Sequence, residues 1–476
     1  MSERTAGALR WRGALRHRNF RLFWFGQLVS LVGTWMQSVA QAWLVLQLTH
    51  DPFWLGVIGA IQFLPVMIFG LFAGIVVDLL PKRRTLVGTQ TSLMALALIL
   101  AALSFSGAVQ VWHIVVLAFG LGLVNAVDMP ARQAFVIEMV GRDDVANAVG
   151  LNSAVFNAAR IVGPSIGGIL IAVVGVTACF FINGLSFIAV IVGLLAMRDR
   201  DLRRGVRLAR PRSVRAVADN LAEGLGYVRR TPVVLLAVAI VGLVSTVGMN
   251  FNVQLPALAT VLGVGATGFG FLWSAMGAGS LVASLAVATV RRPRVWVMLG
   301  GALTLGATEM LLGAANLLPL AMLAAFGAGA GAMAMTATAN STIQLAVPDA
   351  LRGRVMSVYT TVFAGSTPIG ALYAGWLAST YGTAASLLVG GALSIVFAVP
   401  ATIWVLRRPD FFGLRLPRRS RRRQAELVNA AVAETVAEVA ARDLPRSQLG
   451  EPPLAPSATR RPPVGAAEPV PSARTK

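Results

Sequence analysis

Residues 140–168 read VGRDDVANAVGLNSAVFNAARIVGPSIGG, and residues 347–375 read VPDALRGRVMSVYTTVFAGSTPIGALYAG. The two stretches align without a gap. Phe156 falls on Phe363, Gly163 on Gly370 and Gly168 on Gly375, and the register still holds at Gly175 and Gly382. Coincident glycines alone mean little in a chain that has 48 of them. A register kept across a loop and the whole apolar run behind it repeats a structural unit, so the chain is read as a duplication.

Composition says what kind of unit is doubled. Of 476 residues, 56% are hydrophobic and only 13% charged, with a mean hydropathy of +0.72. A soluble fold of this length could not hide that much apolar surface, which makes the chain an integral membrane protein. Runs of about 20 apolar residues recur about twelve times between Phe20 and Leu406, and none shows the alternation of a barrel strand. They are therefore helices. The runs fall at about 20–48, 54–79, 85–107, 111–131, 146–174, 177–197, 232–261, 266–290, 295–315, 318–344, 354–380 and 384–406. The expected fold is all-α, with twelve transmembrane helices in two pseudo-symmetric six-helix bundles, 20–198 and 232–407.

Residues 1–19 precede the first bundle and 199–231 link the two. In the linker Val214, Val217, Leu221, Leu225 and Val228 recur at helical spacing opposite Arg215, Asp219 and Glu223, the pattern of an amphipathic helix on the inner membrane surface. Residues 408–476 form a tail. It opens with LPRRSRRRQ, suited to anionic lipid, passes through a short helix marked by Val428, Val432, Val436 and Val439, and ends with the composition of disorder.

A net charge of +21 suggests nucleic acid until the basic residues are placed. Arg160 apart, they occupy alternate loops only: Arg4 to Arg21, Lys82 to Arg84, Arg132 and Arg142, Arg198 to Arg230, Arg291 to Arg294, Arg352 and Arg354, and the tail. The intervening links THDPF, SGAVQ, VGVT, LGVGATG, ANLLP and YGTAA contain no Lys or Arg. That is the positive-inside pattern, with both termini cytoplasmic and no role for nucleic acid. No short h-region with a small-residue cleavage site follows the basic N-terminus, so the first helix is expected to be uncleaved. Lysine occurs only at Lys82 and Lys476 while arginine and alanine abound, the composition of a GC-rich bacterial genome. The expected location is the bacterial cytoplasmic membrane. The lone Cys179 has no disulfide partner, His17, His50 and His113 stand apart, and no phosphate-binding loop is present. Neither a metal, nor a cofactor, nor an enzymatic activity, nor direct use of ATP is expected.

Two motifs sit on the inner-side elements. The second span ends in Gly74 and Asp78, followed by Lys82, Arg83 and Arg84. A carboxylate there can accept hydrogen bonds from a neighbouring helix N-terminus. The fifth span carries Gly150, Ala159, Gly163, Pro164, Gly167 and Gly168. Glycines at this spacing strip side chains from one helix face and let another helix approach, while Pro164 removes a backbone donor and bends the helix.

With these motifs the chain resembles the major facilitator superfamily over about residues 18–408. The stretch PARQAFVIEMVGRDDVANAVGLNSAVFNAARIVGPSIGG is similar to its branch of enterobactin exporters and transmembrane secretion effectors. The resemblance implies transport by rocking one bundle against the other. It also implies that Gly74, Asp78, Lys82, Arg83 and Arg84 form a conformational latch, although Leu79 and Pro81 depart from the family pattern. The glycines of the fifth span match the pattern of antiporter-type exporters, with Ala159 as the one departure. A fourth-span arginine frequent in the family is missing, and Ala118 stands in its place.

Arg160 lies near mid-membrane, where a charge costs at least roughly 2.5–3.5 kcal/mol. It is expected either to neutralise an anionic substrate group or internal carboxylate, or to clamp backbone carbonyls. A coupling proton needs a carboxylate, and the candidates are Asp128, spaced to pair with Arg132 one turn on, and Glu309, deep in the ninth span. By analogy the fourth span lines the cavity and the ninth is peripheral, which favours Asp128. Gln27, Thr34, Gln37 and Gln41 give the first span a polar face that, with Asn125, Asn250, Asn252 and Asn340, is expected either to line a substrate cavity or to pack helices. The five tryptophans Trp24, Trp35, Trp43, Trp54 and Trp273 are assigned to packing or to the membrane interface. The expected function is a monomeric exporter of a small amphipathic molecule, a siderophore or a drug, driven by proton antiport. Proton-coupled uptake, or a non-transporting receptor or scaffold on the same fold, are the alternatives.

Overall fold

In a bilayer every backbone N–H and C=O must find its partner within its own segment, and that turns each apolar run into a helix. The computed structural model describes residues 13–203, 214–290 and 293–407, with the side chains of 71–76, 78, 214–218, 220 and 350 outside the described set. The basic tail with its expected short helix, Arg291, Arg292 and the arginines before residue 13 lie outside the described residues. The first half comprises α1 (Arg18–Thr49), α2 (Phe53–Leu79), α3 (Lys82–Phe105), α4 (Val111–Val140), α5 (Val145–Val174) and α6 (Val176–Leu195). After α7 (Val214–Arg230) the second half comprises α8 (Pro232–Gly248), α9 (Phe251–Val261), α10 (Gly265–Thr289), α11 (Val295–Ala314), α12 (Leu318–Ala346), α13 (Asp349–Tyr381) and α14 (Thr383–Leu406). Counting α8 and α9 as one interrupted span, 12 are long and apolar enough to cross a membrane.

The repeat is visible in the turns. Gly175, between α5 and α6, and its match Gly382, between α13 and α14, both take positive φ, 94° and 88°. A side chain there would be strained, which explains why this pair keeps glycine. The seventh span differs from the continuous helix expected over 232–261. It breaks at Met249–Asn250, where the Asn250 amide donates to the Thr246 carbonyl at 2.8 Å and the new helix starts on the Asn250 carbonyl. An asparagine side chain that bonds its own backbone competes with the helix ladder, and the apolar pattern carried no sign of it.

Within the first half α1 packs on α5 and α6, α2 on α4, and α3 on α4 and α6. In the second, α10 and α11 pack on α12, α11 on α14, and α8 on α13 and α14. The most extensive pairings between the halves are α5 with α10 and α2 with α13. One end of the assembly carries the arginine-bearing loops and is called the basic face; the other, with links free of Lys and Arg, is the neutral face.

On the basic face α7 does not stand apart as a linker. Glu223 pairs with Arg354 at the start of α13, the Tyr227 hydroxyl donates to the Ala346 carbonyl at 3.3 Å, and a methyl at Gly224 would lie 2.6 Å from the Arg354 carbonyl oxygen. At the opposite corner Asp144, just before α5, takes hydrogen bonds from His17 and Arg16, both at 2.8 Å. The His17 bond, helped by Arg16, holds the Asp144 carboxyl below its ordinary value of 3.8 against the cost of burial.

Candidate functional site

The glycines of α5 divide between two neighbours. A methyl at Gly163 would lie 2.7 Å from Trp35 Cβ and 2.8 Å from the Val32 carbonyl, and one at Gly167 3.1 Å from the Met36 carbonyl, all on α1 of the same half. At Gly168 it would lie 2.6 Å from the Ala266 carbonyl and 3.1 Å from the Gly270 Cα, on α10 of the other half. The repeat copies this division. Gly370 faces α8 of its own half, 2.5 Å from Asn250 Oδ1, while Gly375 faces Phe53 and Gly56 on α2 of the first half. Hydroxyls fasten the α5–α10 seam: Ser165 and Ser274 are 2.6 Å apart, Ser274 donates to the Ile161 carbonyl at 2.6 Å, and Thr267 donates to the Gly168 carbonyl at 3.3 Å. Trp43 of α1 stacks on Phe269 of α10 near the neutral face, with centroids 6.5 Å apart.

Towards the basic face the described residues leave the seam open. Gly150 lies eighteen residues before Gly168, five turns of 3.6, and so shares its face of α5. Among the described residues nothing comes within 4 Å of a methyl at Gly150. The other seam behaves alike: Ala371 touches Gly56, whereas Gly353, five turns nearer the basic face on α13, has no described neighbour within 4 Å. Ala159 is fully buried.

Asp128 of α4 is buried among donors. Thr89 and Gln90 of α3 bond its Oδ1 at 2.7 and 2.8 Å, and Arg132 binds Oδ2 through two nitrogens. Arg132 also bonds Gln27 of α1. One ion pair thus ties three helices of the first half. Asn125 is half-buried about one turn before Asp128. Lys82 pairs with Glu138 at 3.4 Å, and Arg83 bonds the Leu194 and Leu195 carbonyls and Asp199, so two of the basic residues of the expected latch hold α3 to its own bundle. Gly74 and Asp78 lie in the last turns of α2, and the Asp78 side chain is outside the described set.

Glu309 of α11 has the opposite surroundings. It is 0% exposed, its Oε1 accepts one bond from Gln254 at 3.1 Å, and its Oε2 is buried without a partner. Among the described residues no basic side chain pairs with it. Methyls at Gly248, the last residue before the break in the seventh span, and at Gly390 would lie 2.9 and 2.6 Å from its oxygens.

The expected cavity polar set is only partly free. Gln37 accepts from Asn183 of α6 at 2.6 Å, Asn250 is buried on its own helix, and Asn340 accepts from Gln344 at 2.6 Å. Thr34 and Asn252 are exposed, and Gln41 is half-buried. A cavity of about 330 Å³ between α10, α11 and α12 is lined by Ala283, Val287, Thr304 and Ala334 among others, and no charged group converges on it. Among the described residues no cluster of His, Cys, Asp and Glu has the makings of a metal site.

Between the two faces of α5 stands Arg160. Gly163 and Gly167 point at α1, Ile161 and Gly168 at α10, and at 100° per residue Arg160 falls in the gap between them. Its guanidinium donates to Asn157 at 3.2 Å, and its Nε is buried without a partner. Beside it Trp35 meets Phe156 at 5.6 Å and, across the seam, Trp273 at 5.8 Å between ring centroids. Sequence reasoning set these tryptophans aside as packing. The available signal was the repeat itself, which places Phe156 on Phe363, and Phe363 also meets an aromatic ring, that of Tyr359.

Residues 11–436 match the family described as transmembrane secretion effector. The chain belongs to that family of the major facilitator superfamily. The chain is 31% identical over 382 residues to the multidrug efflux pump Tap of Mycolicibacterium fortuitum, covering 77% of this chain and 91% of that protein. The staphyloferrin A transporter of Staphylococcus aureus is 28% identical over 176 residues, 37% of this chain and 44% of that one. A bacterial homologue of the human lysosomal transporter Spinster, solved inward-facing and occupied, has the same fold, with a TM-score of 0.66 at 12% identity over 83% of this chain and 98% of that one. The chain is a transporter of the efflux kind, not an enzyme.

Proposed function

We propose that this transporter exports a small amphipathic molecule from the cytoplasm across the bacterial cytoplasmic membrane, in exchange for protons. The observation that carries the reading is the contrast along one face of α5: pressed against α10 at Gly168, free at Gly150, and mirrored on α13. Two halves hinged shut at one end and parted at the other suit alternating access. By the positive-inside pattern the parted end is cytoplasmic, where an exporter collects cargo. That the relatives are efflux pumps and a siderophore transporter supports the same direction and cargo class.

The exchanged proton is assigned to Glu309 rather than to Asp128. Asp128 already has a permanent counter-charge in Arg132, and Thr89 and Gln90 complete its hydrogen bonds. Among the described residues Glu309 has no cation beside it, so a proton is the counter-charge open to it. Its place against the break in the seventh span gives a local hinge through which the site can meet water. The membrane potential supplies about 2.3 kcal/mol per charge per 100 mV.

The test is proton release from energised everted vesicles when candidate siderophores and lipophilic drugs are added. Wild type and Asp128→Asn vesicles that assemble normally should both discharge the pH gradient, and Glu309→Gln vesicles should not. Discharge by Glu309→Gln at the wild-type rate would move the proton elsewhere; cargo accumulation indifferent to nigericin would end the antiport reading.

A further inference from the structure

We propose that Trp35, Phe156 and Trp273, together with Arg160, form the cargo site, and that it selects a flat aromatic molecule bearing an acidic group. The proposal rests on the exporter reading above and names the chemical class of its cargo.

Arg160 carries the acidic half of the argument. A guanidinium has five N–H donors in a fixed fork and keeps its charge at any ordinary pH. In the middle of a membrane helix such a charge is expected to pair with a carboxylate or to be bonded on every donor. Arg160 does neither: its described partner is the neutral Asn157 amide at 3.2 Å, its Nε is buried with nothing to bond, and no carboxylate reaches it among the described residues. Arg132, on α4 of the same half, has its carboxylate, Asp128. The difference is an unfilled anion position at the seam, three residues before Gly163.

The three rings supply the flat walls. Trp35 comes from α1, Phe156 from α5 and Trp273 from α10, so the cluster straddles the surface along which the halves move. The ring planes are inclined at 72° and 56° rather than stacked face to face. Aromatic faces not covered by one another are the surfaces on which a planar ligand stacks, with centroid separations of about 4.5–7 Å. Phe156, one turn from Arg160 towards the parted end, is 44% exposed while Trp273 is 8% exposed, so the cluster is accessible at Phe156 and covered at Trp273. Cargo entering there would stack first and meet Arg160 next. Because one wall belongs to the other half, closure around the ligand is coupled to the rocking motion.

The experiment uses purified full-length protein in detergent and two matched probes, 1-naphthylacetate and 1-naphthylmethylamine, with binding read from tryptophan fluorescence and equilibrium dialysis. Wild type should bind the acid at least tenfold more tightly than the amine. Arg160→Gln should abolish that preference by weakening the acid alone, Arg160→Lys should restore part of it, and Trp35→Leu or Trp273→Leu should weaken both probes. Thermal melts identify a variant that has failed to fold, and the Arg160→Lys comparison keeps the test decisive. If wild type prefers the amine, binds neither probe, or loses both equally in a folded Arg160→Gln, Arg160 is a structural clamp and the proposal falls. Binding is read without a proton gradient, so failure of antiport in vesicles and failure of acid selection are separate results.

Discussion

Asp128 and Glu309 are both carboxyls buried inside membrane helices, and they are kept there by opposite means. Asp128 has a guanidinium, a hydroxyl and an amide arranged around it and joins α1, α3 and α4 through them. Glu309 has one amide, an unpartnered oxygen, and glycines pressed close on either side. The first carboxyl is matched by a cation and two further donors, whereas among the described residues the second has no cation and one unbonded oxygen. Although the two halves repeat in sequence and in their seams, the repeat does not extend to charge: the first half pairs its carboxylate with an arginine, whereas the second leaves Glu309, the proposed switch, without a described cation.

The sharpest way to break that contrast is at Glu309. Glu309→Gln keeps shape and removes the exchangeable proton, so proton release on cargo addition should fall by about two orders of magnitude, with normal amounts of protein in the membrane. Loss of folding instead of coupling would make Glu309 a strut as well. Next comes Asp128→Ala, which leaves Arg132 buried without its partner; breaking one side of a buried pair costs about 3–5 kcal/mol. Thermal unfolding in detergent should show that loss, and Asp128→Ala with Arg132→Met should recover much of it. No recovery in the double variant would mean that the pair is not the unit.

A smaller effect separates the two ends of α5. Gly168→Ala puts a methyl 2.6 Å from the Ala266 carbonyl, a backbone atom that cannot swing aside. Overpacking of this kind costs about 1–3 kcal/mol, and it falls on the state closed at the neutral face. Gly150→Ala meets nothing within 4 Å and removes a flexible helix residue, a gain of about 0.5–1 kcal/mol. The readout is the labelling rate of a single cysteine introduced at Thr267, with Cys179 replaced by alanine: Gly168→Ala should speed reaction from the neutral side and Gly150→Ala should leave it unchanged. Equal rates in the two variants would remove the hinge.

What the sequence disclosed and what it hid follow from range. Apolar runs, loop charges and the register of Phe156 and Phe363 are one-dimensional, so helix number, membrane class and the doubled fold were legible, as was the Asp128–Arg132 pair, which needs only helical spacing. Which neighbour each glycine of α5 would face was not, because Gly163 and Gly168 look alike in a string and differ only in the helix across from them. The break at Met249–Asn250 was hidden because one side-chain bond decides it against a continuous apolar pattern. Of the two candidates for the proton, Asp128 shows its partner through helical spacing, whereas the surroundings of Glu309 appear only when all its neighbours are in place.

The smallest effect lies outside the membrane and bounds how far charge matters in the first half. Asp144 ties the segment before α1 to the start of α5 through His17 and Arg16, and Ala14 adds a backbone bond to Asn147 at 2.8 Å. A carboxyl held below its ordinary value of 3.8 binds its proton more weakly in the folded protein than in the unfolded one. Its contribution is therefore complete above that value and drains away as the pH falls through the lower folded value. Arg16 is largely exposed, so the tie is a surface pair worth about 0–1 kcal/mol. Tryptic cleavage after Arg16 and Arg18 should accelerate no more than about fivefold in Asp144→Asn, the equivalent of 1 kcal/mol. In the wild type, the effect of that substitution should vanish only below about pH 4, as followed by hydrogen exchange of the 13–17 segment. A fall in protection between pH 8 and pH 5 that survives Asp144→Asn would assign the docking to another group, and a loss of export in Asp144→Asn as large as that in Glu309→Gln would mean that the first half, too, holds a switch.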